Sequence, residues 1–144
     1  TATNIGMMTN LNKANIKGIE FNISTSLMGA DISANASFVK PEDDETGNIL
    51  PRRAQRLANV HIDKQWGAWS GGASWKLRGH SFDGTTNTTR LGGYGLVDLR
   101  LAYQLDSEWS VQASVANLFD KEYQTVNNYH SLDRVGMITL SYTP

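Results

Sequence analysis

The 144-residue sequence has no cysteine, so the chain can form neither a disulfide nor a thiolate metal site. It has no excess charge of either sign, because 13 Lys and Arg stand against 14 Asp and Glu. This balance argues against a partner recognised by bulk charge, such as nucleic acid. The sequence also lacks any run of about 18 apolar residues, which excludes a membrane-spanning helix. A membrane-spanning β-barrel stays possible, because its strands expose apolar residues only at alternate positions.

Apolar and polar residues alternate through most of the chain, and this period of two predicts β-strands with one apolar and one polar face. In the segment "GIEFNISTSL" (18–27), Ile19, Phe21 and Ile23 fall on one side, and Glu20 and Asn22 on the other. The same division recurs in the segments 31–38, 58–66, 69–78, 97–104, 109–115 and 138–143. With a short opening segment near residues 3–10, the pattern predicts about eight strands and no helix.

The connections between these segments alternate in length. Three are tight, namely "LMGAD" (27–31), "QWGAW" (65–69) and "LDSEW" (105–109). They alternate with longer polar connections at 10–15, 40–53, 79–94 and 120–134. Because an up-and-down meander places every second connection at the same end, we expect short turns at one end of the sheet and long loops at the other. This asymmetry is typical of outer-membrane β-barrels.

The polar side of the predicted strands is rich in Ser, Asn, Thr and Gln, whereas a soluble β-sandwich usually exposes many more Lys and Glu. Tryptophan and tyrosine lie near the ends of the predicted strands, where a membrane barrel carries its interfacial girdles. The predicted girdle residues are Trp66, Trp69, Tyr94, Tyr103, Trp109 and Tyr142. These features favour a membrane barrel over a soluble β-protein.

Several segments resemble the barrel of TonB-dependent outer-membrane receptors, and most closely the cobalamin-receptor branch of that family. The resemblance is carried by "LGGYGLVDLRLAYQL" (91–105), "WSVQASVANLFDKEYQTV" (109–126) and "DRVGMITLSYTP" (133–144), and further upstream by "IKGIEF" (16–21) and "ILPRRAQ" (49–55). It implies an all-β fold: about eight strands of an antiparallel up-and-down transmembrane β-barrel, from the last part of a 22-stranded barrel. The plug domain and TonB-binding segment of such receptors resemble no part of residues 1–144. We therefore expect this sequence to be the C-terminal part of a receptor barrel.

The resemblance implies TonB-dependent active import of a scarce ligand, cobalamin or a ferric siderophore, across the bacterial outer membrane. The implied partners are outer-membrane lipid, the imported ligand, TonB through the plug, and the barrel-assembly machinery through the C-terminal strand. No enzyme activity, cofactor or nucleic-acid partner is expected. One alternative is a self-contained eight-stranded outer-membrane barrel with a structural or adhesion role. Another is an eight-stranded outer-membrane enzyme, which the lack of a catalytic set of residues disfavours.

The resemblance also places candidate ligand contacts in two of the long loops. Arg52, the first Arg of "LPRRAQ", stands where the cobalamin receptor has a basic ligand contact. Anchoring the strand end by a salt bridge is the commoner role of such an Arg in this family. Thr86, in "FDGTTNTT", stands near the place where the cobalamin receptor has a ligand-contacting tyrosine. This departure from the family pattern argues against cobalamin as the ligand.

The element "NLFDKEY" (117–123) lies where the penultimate strand of the family leaves the membrane and enters the last extracellular loop. The residues expected to have family-motif or structural roles are Asn117, Leu118, Phe119, Asp120 and Tyr123, together with Tyr142 in the last strand. Barrels of the family normally close on an aromatic residue that the assembly machinery recognises. This sequence closes on Pro144, so weaker recognition is expected.

No catalytic or metal site is predicted. His61, His80 and His130 lack the short spacing of metal ligands, and no catalytic arrangement can be argued from their positions. The acidic run 42–45 lacks the spacing and turn glycine of a calcium-binding loop, and is expected to be a solvated loop.

Overall fold

The computed structural model describes residues 13–144, so the predicted opening strand near residues 3–10 lies outside the described residues. The strands are β1 (Ala14–Leu27), β2 (Ala30–Asp43), β3 (Arg56–Trp66), β4 (Trp69–Arg78), β5 (Ser81–Phe82), β6 (Arg90–Leu91), β7 (Tyr94–Gln104), β8 (Trp109–Ala116), β9 (Gln124–Val126), β10 (Tyr129–His130) and β11 (Val135–Tyr142). The predicted all-β class is therefore confirmed. None of the described residues forms a helix that is long and apolar enough to cross a membrane.

One antiparallel sheet of 7 strands, in the order β1-β2-β3-β4-β7-β8-β11, dominates the structure. Each of its strands overlaps one of the predicted alternating segments, and the last segment, 138–143, extends one residue beyond β11. Every strand pairs with the next sheet strand along the chain, which is the predicted up-and-down meander. Within residues 13–144, β1 and β11 are the two edges, so this part of the wall is an open sheet and not a closed barrel.

The three tight connections all lie at one end of the sheet, which we call the turn end. Met28 and Gly29 join β1 to β2 with φ values of 53° and 74°, the positive values that a type I′ hairpin turn requires. Gly67 opens the turn between β3 and β4 with φ of 60°. In the turn between β7 and β8, the Asp106 carboxylate accepts a 2.8 Å hydrogen bond from the backbone N–H of Trp109.

The long connections lie at the opposite end, which we call the loop end. Loop A (residues 44–55) joins β2 to β3, and loop B (79–93) joins β4 to β7 and contains the β5–β6 hairpin. Loop C (117–134) joins β8 to β11 and contains the β9–β10 hairpin. The predicted asymmetry between short turns and long loops is confirmed in the described part of the chain.

The register places most apolar residues of the sheet on one face, which we call the apolar face, while Val39, Leu57 and Leu96 lie on the other. One row across five strands consists of Ile23, Ala34, Val60, Trp75 and Val97. This face is not covered, since Ile23 is 66% and Trp75 is 49% exposed. The intervening Ser, Asn, Asp and Lys residues form the opposite polar face. A sheet with so much exposed apolar area requires an apolar environment.

The buried hydrophobic residues of the described chain lie outside the 7-stranded sheet. They are Leu50 and Ala54 in loop A and Leu91 in loop B. Pro41, near the end of β2, is also fully buried. The small packed core is thus at the loop end, where it orders loops and not the strand wall.

Aromatic pairs line the turn end of the apolar face, as the girdle prediction requires. Trp69 packs on Tyr103 with ring centroids 4.6 Å apart, and Trp109 packs on Tyr142 with centroids 4.8 Å apart. Trp66 lies directly opposite Trp69 in the register. These five rings all lie at the turn end of the apolar face, as in an interfacial girdle.

The prediction that Tyr94 belongs to the girdle is wrong. Gly95 and Val97 occupy the apolar face of β7, so Tyr94 lies on the polar face, opposite Arg78 at the loop end. There its ring packs on Tyr123 of loop C, with centroids 4.2 Å apart.

Candidate functional site

Side-chain hydrogen bonds join loops A and B into one unit, which we call the loop cap (residues 44–55 and 79–93). Asn87 makes the main connection: its Oδ1 accepts from the backbone N–H of Ile49 at 2.7 Å, and its Nδ2 donates to the Ile49 carbonyl at 2.8 Å. Asn87 has φ of 54°, a left-handed conformation in which Asn is enriched. Asn48 adds a 2.9 Å hydrogen bond from its Nδ2 to the carbonyl of Thr85.

A small buried core supports the loop cap. Leu50, Ala54 and Leu91 are each at most 6% exposed, and Ser81 is 8% exposed. The backbone N–H of Leu50 donates to the carbonyl of Pro41 at 2.8 Å, which ties loop A to the end of β2. The cap is therefore held by both hydrogen bonds and apolar burial.

Arg52 connects the two loops at the edge of the cap. Its backbone N–H donates to the Phe82 carbonyl at 2.6 Å, and its Nε pairs with Oδ1 of Asp83 at 2.8 Å. Its own carbonyl accepts a 3.2 Å hydrogen bond from Nη2 of Arg78. The Arg52 side chain is still 55% exposed, so Asp83 orients the guanidinium without burying it. This salt bridge joins loops A and B, whereas the sequence predicted one that anchors the strand end, and it leaves the cation exposed.

Two arginines and two tyrosines adjoin at the loop end of the polar face. Arg78 bonds to the Arg52 backbone and lies opposite Tyr94, whose ring packs on Tyr123. Guanidinium groups pair with anions, and both guanidinium and phenol groups pack on flat conjugated molecules. This surface therefore suits a ligand that is anionic, aromatic or both.

The acidic run 42–45 spans the end of β2 and the start of loop A, so its first two residues are in a strand and not in the predicted loop, and Asp43 forms a turn there. Oδ1 of Asp43 accepts hydrogen bonds from the backbone N–H groups of Thr46 and Glu45, both at 2.9 Å. These bonds, with that from Thr46 the stronger influence, lower the pKa of the Asp43 carboxyl from its ordinary value. Asp43 lies beyond the apolar-face residues of β2, in the solvated part of the loop end. Glu42 pairs with Lys40 at 2.8 Å, so the run is partly neutralised.

The segment 117–121 closes the end of β8 with its own hydrogen bonds. Asn117 is 5% exposed and has φ of 52°. Its Oδ1 accepts from the backbone N–H of Lys121 at 2.9 Å, and its Nδ2 donates to the Lys121 carbonyl at 3.1 Å. Its backbone N–H donates to the Asp98 carboxylate at 2.9 Å. Oδ1 of Asp120 accepts from the backbone N–H of Arg134 at 2.8 Å, which joins the two ends of loop C.

Ion pairs cross the strands on the polar face. Nζ of Lys76 lies 2.7 Å from Oδ2 of Asp98 on the neighbouring strand. Arg100 pairs with Asp63 across β4, although the two residues are on strands that are not neighbours. Gly72 lies between them in the register, and a Cβ at that position would contact both charged groups. The missing side chain of Gly72 therefore makes this pair possible.

The structure brings the two predicted ligand contacts into the same unit but leaves other predicted residues apart. Thr86 is exposed in the loop cap, and its hydroxyl lies 3.1 Å from that of Thr88. The motif residues Asn117, Leu118, Phe119, Asp120 and Tyr123 lie at the start of loop C. Tyr142 lies at the turn end, paired with Trp109. Among residues 13–144, no group of three or more His, Asp or Glu side chains is arranged to hold a metal ion.

Three residues that assemble the loop cap were not predicted from the sequence, namely Asn48, Asp83 and Asn87. The one available signal was Asn87 itself, an Asn within a Thr-rich loop, because Asn often occupies left-handed positions. Its partner Ile49 is 38 residues away, and no local pattern identifies that contact.

A sequence model of the family described as "TonB dependent receptor-like, beta-barrel" matches residues 1–118. The chain belongs to this family. Solved structures show the same fold. The siderophore receptor PiuA from Acinetobacter baumannii is 16% identical with a TM-score of 0.79, and the match covers 90% of this chain and 22% of that one. FpvA from P. aeruginosa, solved with pyoverdine, is 22% identical with a TM-score of 0.76, covering 90% of this chain and 19% of that one.

FyuA from Yersinia pestis, a ferric yersiniabactin uptake receptor, is 21% identical with a TM-score of 0.72, covering 88% of this chain and 22% of that one. This chain thus spans about a fifth of the length of these three receptors, between 19% and 22%.

Membership of the family gives the two faces and two ends of the sheet their environments. TonB-dependent receptor barrels are bacterial outer-membrane proteins, so the predicted localisation is confirmed. The apolar face is the lipid face, and the polar face lines the interior of the barrel. Because the long loops of such barrels are extracellular, the loop cap lies on the outside of the cell. Receptors of this family import small ligands across the outer membrane and interact with TonB.

Proposed function

We propose that this chain forms part of the barrel wall and the extracellular loops of a TonB-dependent receptor that imports a scarce ligand. In this proposal residues 1–144 are the C-terminal part of the barrel, and TonB acts through a plug elsewhere in the receptor. The observation that carries the proposal is the loop cap, where Asp83 orients an Arg52 guanidinium that stays exposed. Arg78 links the Arg52 backbone to the tilted ring pair of Tyr94 and Tyr123 at the same end of the sheet. The cap contributes part of the ligand mouth.

We favour a ferric siderophore as the ligand. The exposed Arg52 guanidinium suits an anionic iron chelate, and the ring pair of Tyr94 and Tyr123 suits flat conjugated groups. PiuA, FpvA and FyuA are siderophore receptors, and their similarity to this chain in fold is consistent with such a ligand. Cobalamin is the second candidate, supported by the segment "ILPRRAQ" but opposed by Thr86, which stands in place of a tyrosine.

A self-contained small barrel is not favoured. The family match covers residues 1–118, and within residues 13–144 the sheet has two open edges. Open edges in lipid leave backbone N–H and C=O groups without partners, which costs several kcal/mol for each group. A larger barrel that pairs both edges removes this cost.

An uptake assay tests the import proposal. The assay uses iron-starved cells in which the native receptor is the one receptor of this family. The cells are given either radiolabelled iron bound to hydroxamate or catecholate chelators, or labelled cobalamin. Uptake is compared with and without functional TonB. The expected result is TonB-dependent uptake of at least one ferric siderophore and no uptake of cobalamin. Uptake of cobalamin alone would replace the siderophore with cobalamin, and uptake of neither ligand class would contradict the proposal.

Matched arginine variants test the mouth. Arg52→Gln removes a charge-assisted contact and should weaken binding of the transported chelate by about tenfold or more. Arg53→Gln is the control, because Arg53 is the adjacent exposed arginine and forms no salt bridge with described residues. Thr86→Ala should weaken binding by about threefold, the effect of one neutral contact. An equal loss in the two arginine variants would contradict a specific role for Arg52.

A further inference from the structure

Three cations lie on the lipid face at its extracellular end. Lys17 on β1 is directly opposite Lys40 on β2, and Arg56 on β3 is directly opposite Phe38. They adjoin the last apolar row of this corner, formed by Ile19 and Phe38. All three follow the same alternation as the apolar residues below them, so they belong to the lipid face and not to the interior of the barrel.

The arrangement is unfavourable without an anion. Directly opposed side chains on one face of an antiparallel sheet have Cβ atoms about 5 Å apart, and like charges at that spacing destabilise the pair. Lys40 has a partner, since its Nζ lies 2.8 Å from Oε1 of Glu42. Within residues 13–144, Lys17 and Arg56 form no salt bridge, and residues 1–12 contain no Asp or Glu. Three cations and one carboxylate leave an excess of two positive charges.

The position of these cations matches a lipid headgroup. Ile19 and Phe38 are 62% and 51% exposed on the lipid face. Lys17 lies two residues beyond Ile19, about 7 Å further along the strand. A groove of about 540 Å³ lined by Lys17, Ile19, Phe38, Lys40 and Arg56 joins the apolar row to the cations. Acyl chains can thus lie on the apolar row while phosphate oxygens reach the amine and guanidinium groups.

The opposite end of the same face provides a contrast. Lys64 also lies on the lipid face, near the turn end, but its Nζ donates to the Met28 carbonyl at 2.8 Å. It stands opposite Ala30 and not opposite another cation. Lys64 is therefore satisfied by the protein, whereas the extracellular cluster is not.

We propose that Lys17, Lys40 and Arg56 form a binding site for the phosphate headgroup of an anionic lipid in the outer leaflet. The site holds an annular lipid against the β1–β3 corner, directly below loop A. A lipid is the occupant because the cations continue the lipid-contacting surface without a break. This inference uses the outer-membrane location of the chain and does not depend on which ligand is imported.

Lipid titration of the detergent-solubilised native receptor tests the proposal. Native mass spectrometry compares binding of phosphatidylglycerol, which is anionic, with phosphatidylcholine, which carries a phosphate but no net charge. The receptor is expected to prefer phosphatidylglycerol, and K17Q/K40Q/R56Q to lose about tenfold or more of its affinity for that lipid. K64Q, the control on the same face, should keep the wild-type preference. Inorganic phosphate should not displace the lipid, since it lacks the acyl chains.

A thermal measurement covers the case in which the triple variant does not fold. K17Q removes the opposed charge and is expected to fold, with an unchanged or raised melting temperature in lipid-free detergent. Phosphatidylglycerol should raise the wild-type melting temperature more than phosphatidylcholine does, and this difference should disappear in K17Q. Equal binding of the two lipids by the wild type, displacement by inorganic phosphate, or a difference that persists in K17Q would overturn the proposal.

Discussion

Replacing Asn87 should release loop A from loop B. The Asn87 amide both accepts from and donates to the backbone of Ile49, at 2.7 and 2.8 Å. Asn87→Gly removes both hydrogen bonds and keeps a residue that adopts φ of 54° without strain. Asn87→Ala removes the same bonds and also places a Cβ in the left-handed conformation.

The size of each effect follows from these contacts. Two part-buried hydrogen bonds contribute about 2 kcal/mol together, so Asn87→Gly should weaken docking of the loops by about that amount. The left-handed backbone adds roughly 1 kcal/mol for Ala, which gives about 3 kcal/mol for Asn87→Ala. Because 1.4 kcal/mol corresponds to a factor of ten, the open population should rise about 30-fold and 100-fold in the two variants.

Amide hydrogen exchange on the native receptor measures this opening directly. The Ile49 N–H bonds to Asn87 of loop B, so exchange at Ile49 reports on the docking of the two loops. Thr85→Ala is the control, because it keeps the Thr85 carbonyl that accepts from Asn48. Unchanged exchange at Ile49 in Asn87→Gly would refute the role of the amide, and equal exchange in the two variants would refute the backbone contribution.

Three further predictions concern other parts of the sheet. Gly72→Ala should separate the ion pair that crosses β4. It should lower the free energy of unfolding by up to about 1 kcal/mol more than the control Gly136→Ala, whose added Cβ meets open space. Equal effects of the two substitutions in chemical denaturation would contradict this prediction. Asn117→Ala should destabilise the end of β8 by about 3 kcal/mol and Asn117→Gly by about 2 kcal/mol, as measured by thermal unfolding. Equal losses of stability in the two variants would argue against backbone strain at the φ of 52°. The hydrogen bonds that lower the pKa of Asp43 favour its carboxylate form. The turn should therefore be ordered at pH values above 3.8, the ordinary pKa of the group, and loosen as the pH falls below that value. A spin label at Thr46 should gain mobility only below pH 3.8, and an unchanged spectrum there would contradict the prediction.

The strand wall could be predicted from the sequence because each position has one of two environments. A one-residue shift in register would move every apolar residue to the interior, so the alternation specifies both the strands and their faces. The row from Ile23 to Val97 follows this rule without exception. Tyr94 was assigned to the wrong face because a tyrosine near a strand end suits either a lipid interface or the polar face, and only the register distinguishes them.

The loop cap could not be predicted because its contacts have no period. The bond from Asn87 to Ile49 spans 38 residues, and the pair of Arg52 and Asp83 spans 31. Such contacts depend on where the register brings two loops together. The turn at Asn117 was easier to identify, since its partner Lys121 is only four residues away and the whole element is one short motif.

Asn117, at the end of β8, and Asn87, in the connection between β5 and β6, form the same kind of hydrogen-bonded contact. Each has a left-handed backbone, and each amide pairs with both the N–H and the C=O of one residue, as an opposing peptide group would in a sheet. These amides order the loops at the extracellular end. The buried hydrophobic residues of the described region are few, namely Leu50, Ala54 and Leu91, so the amides supply much of that order. Removing one such amide is expected to weaken the docking of the loops by about 2 to 3 kcal/mol. A ligand whose affinity for the open and docked loops differs by a similar amount can shift the equilibrium between these two states.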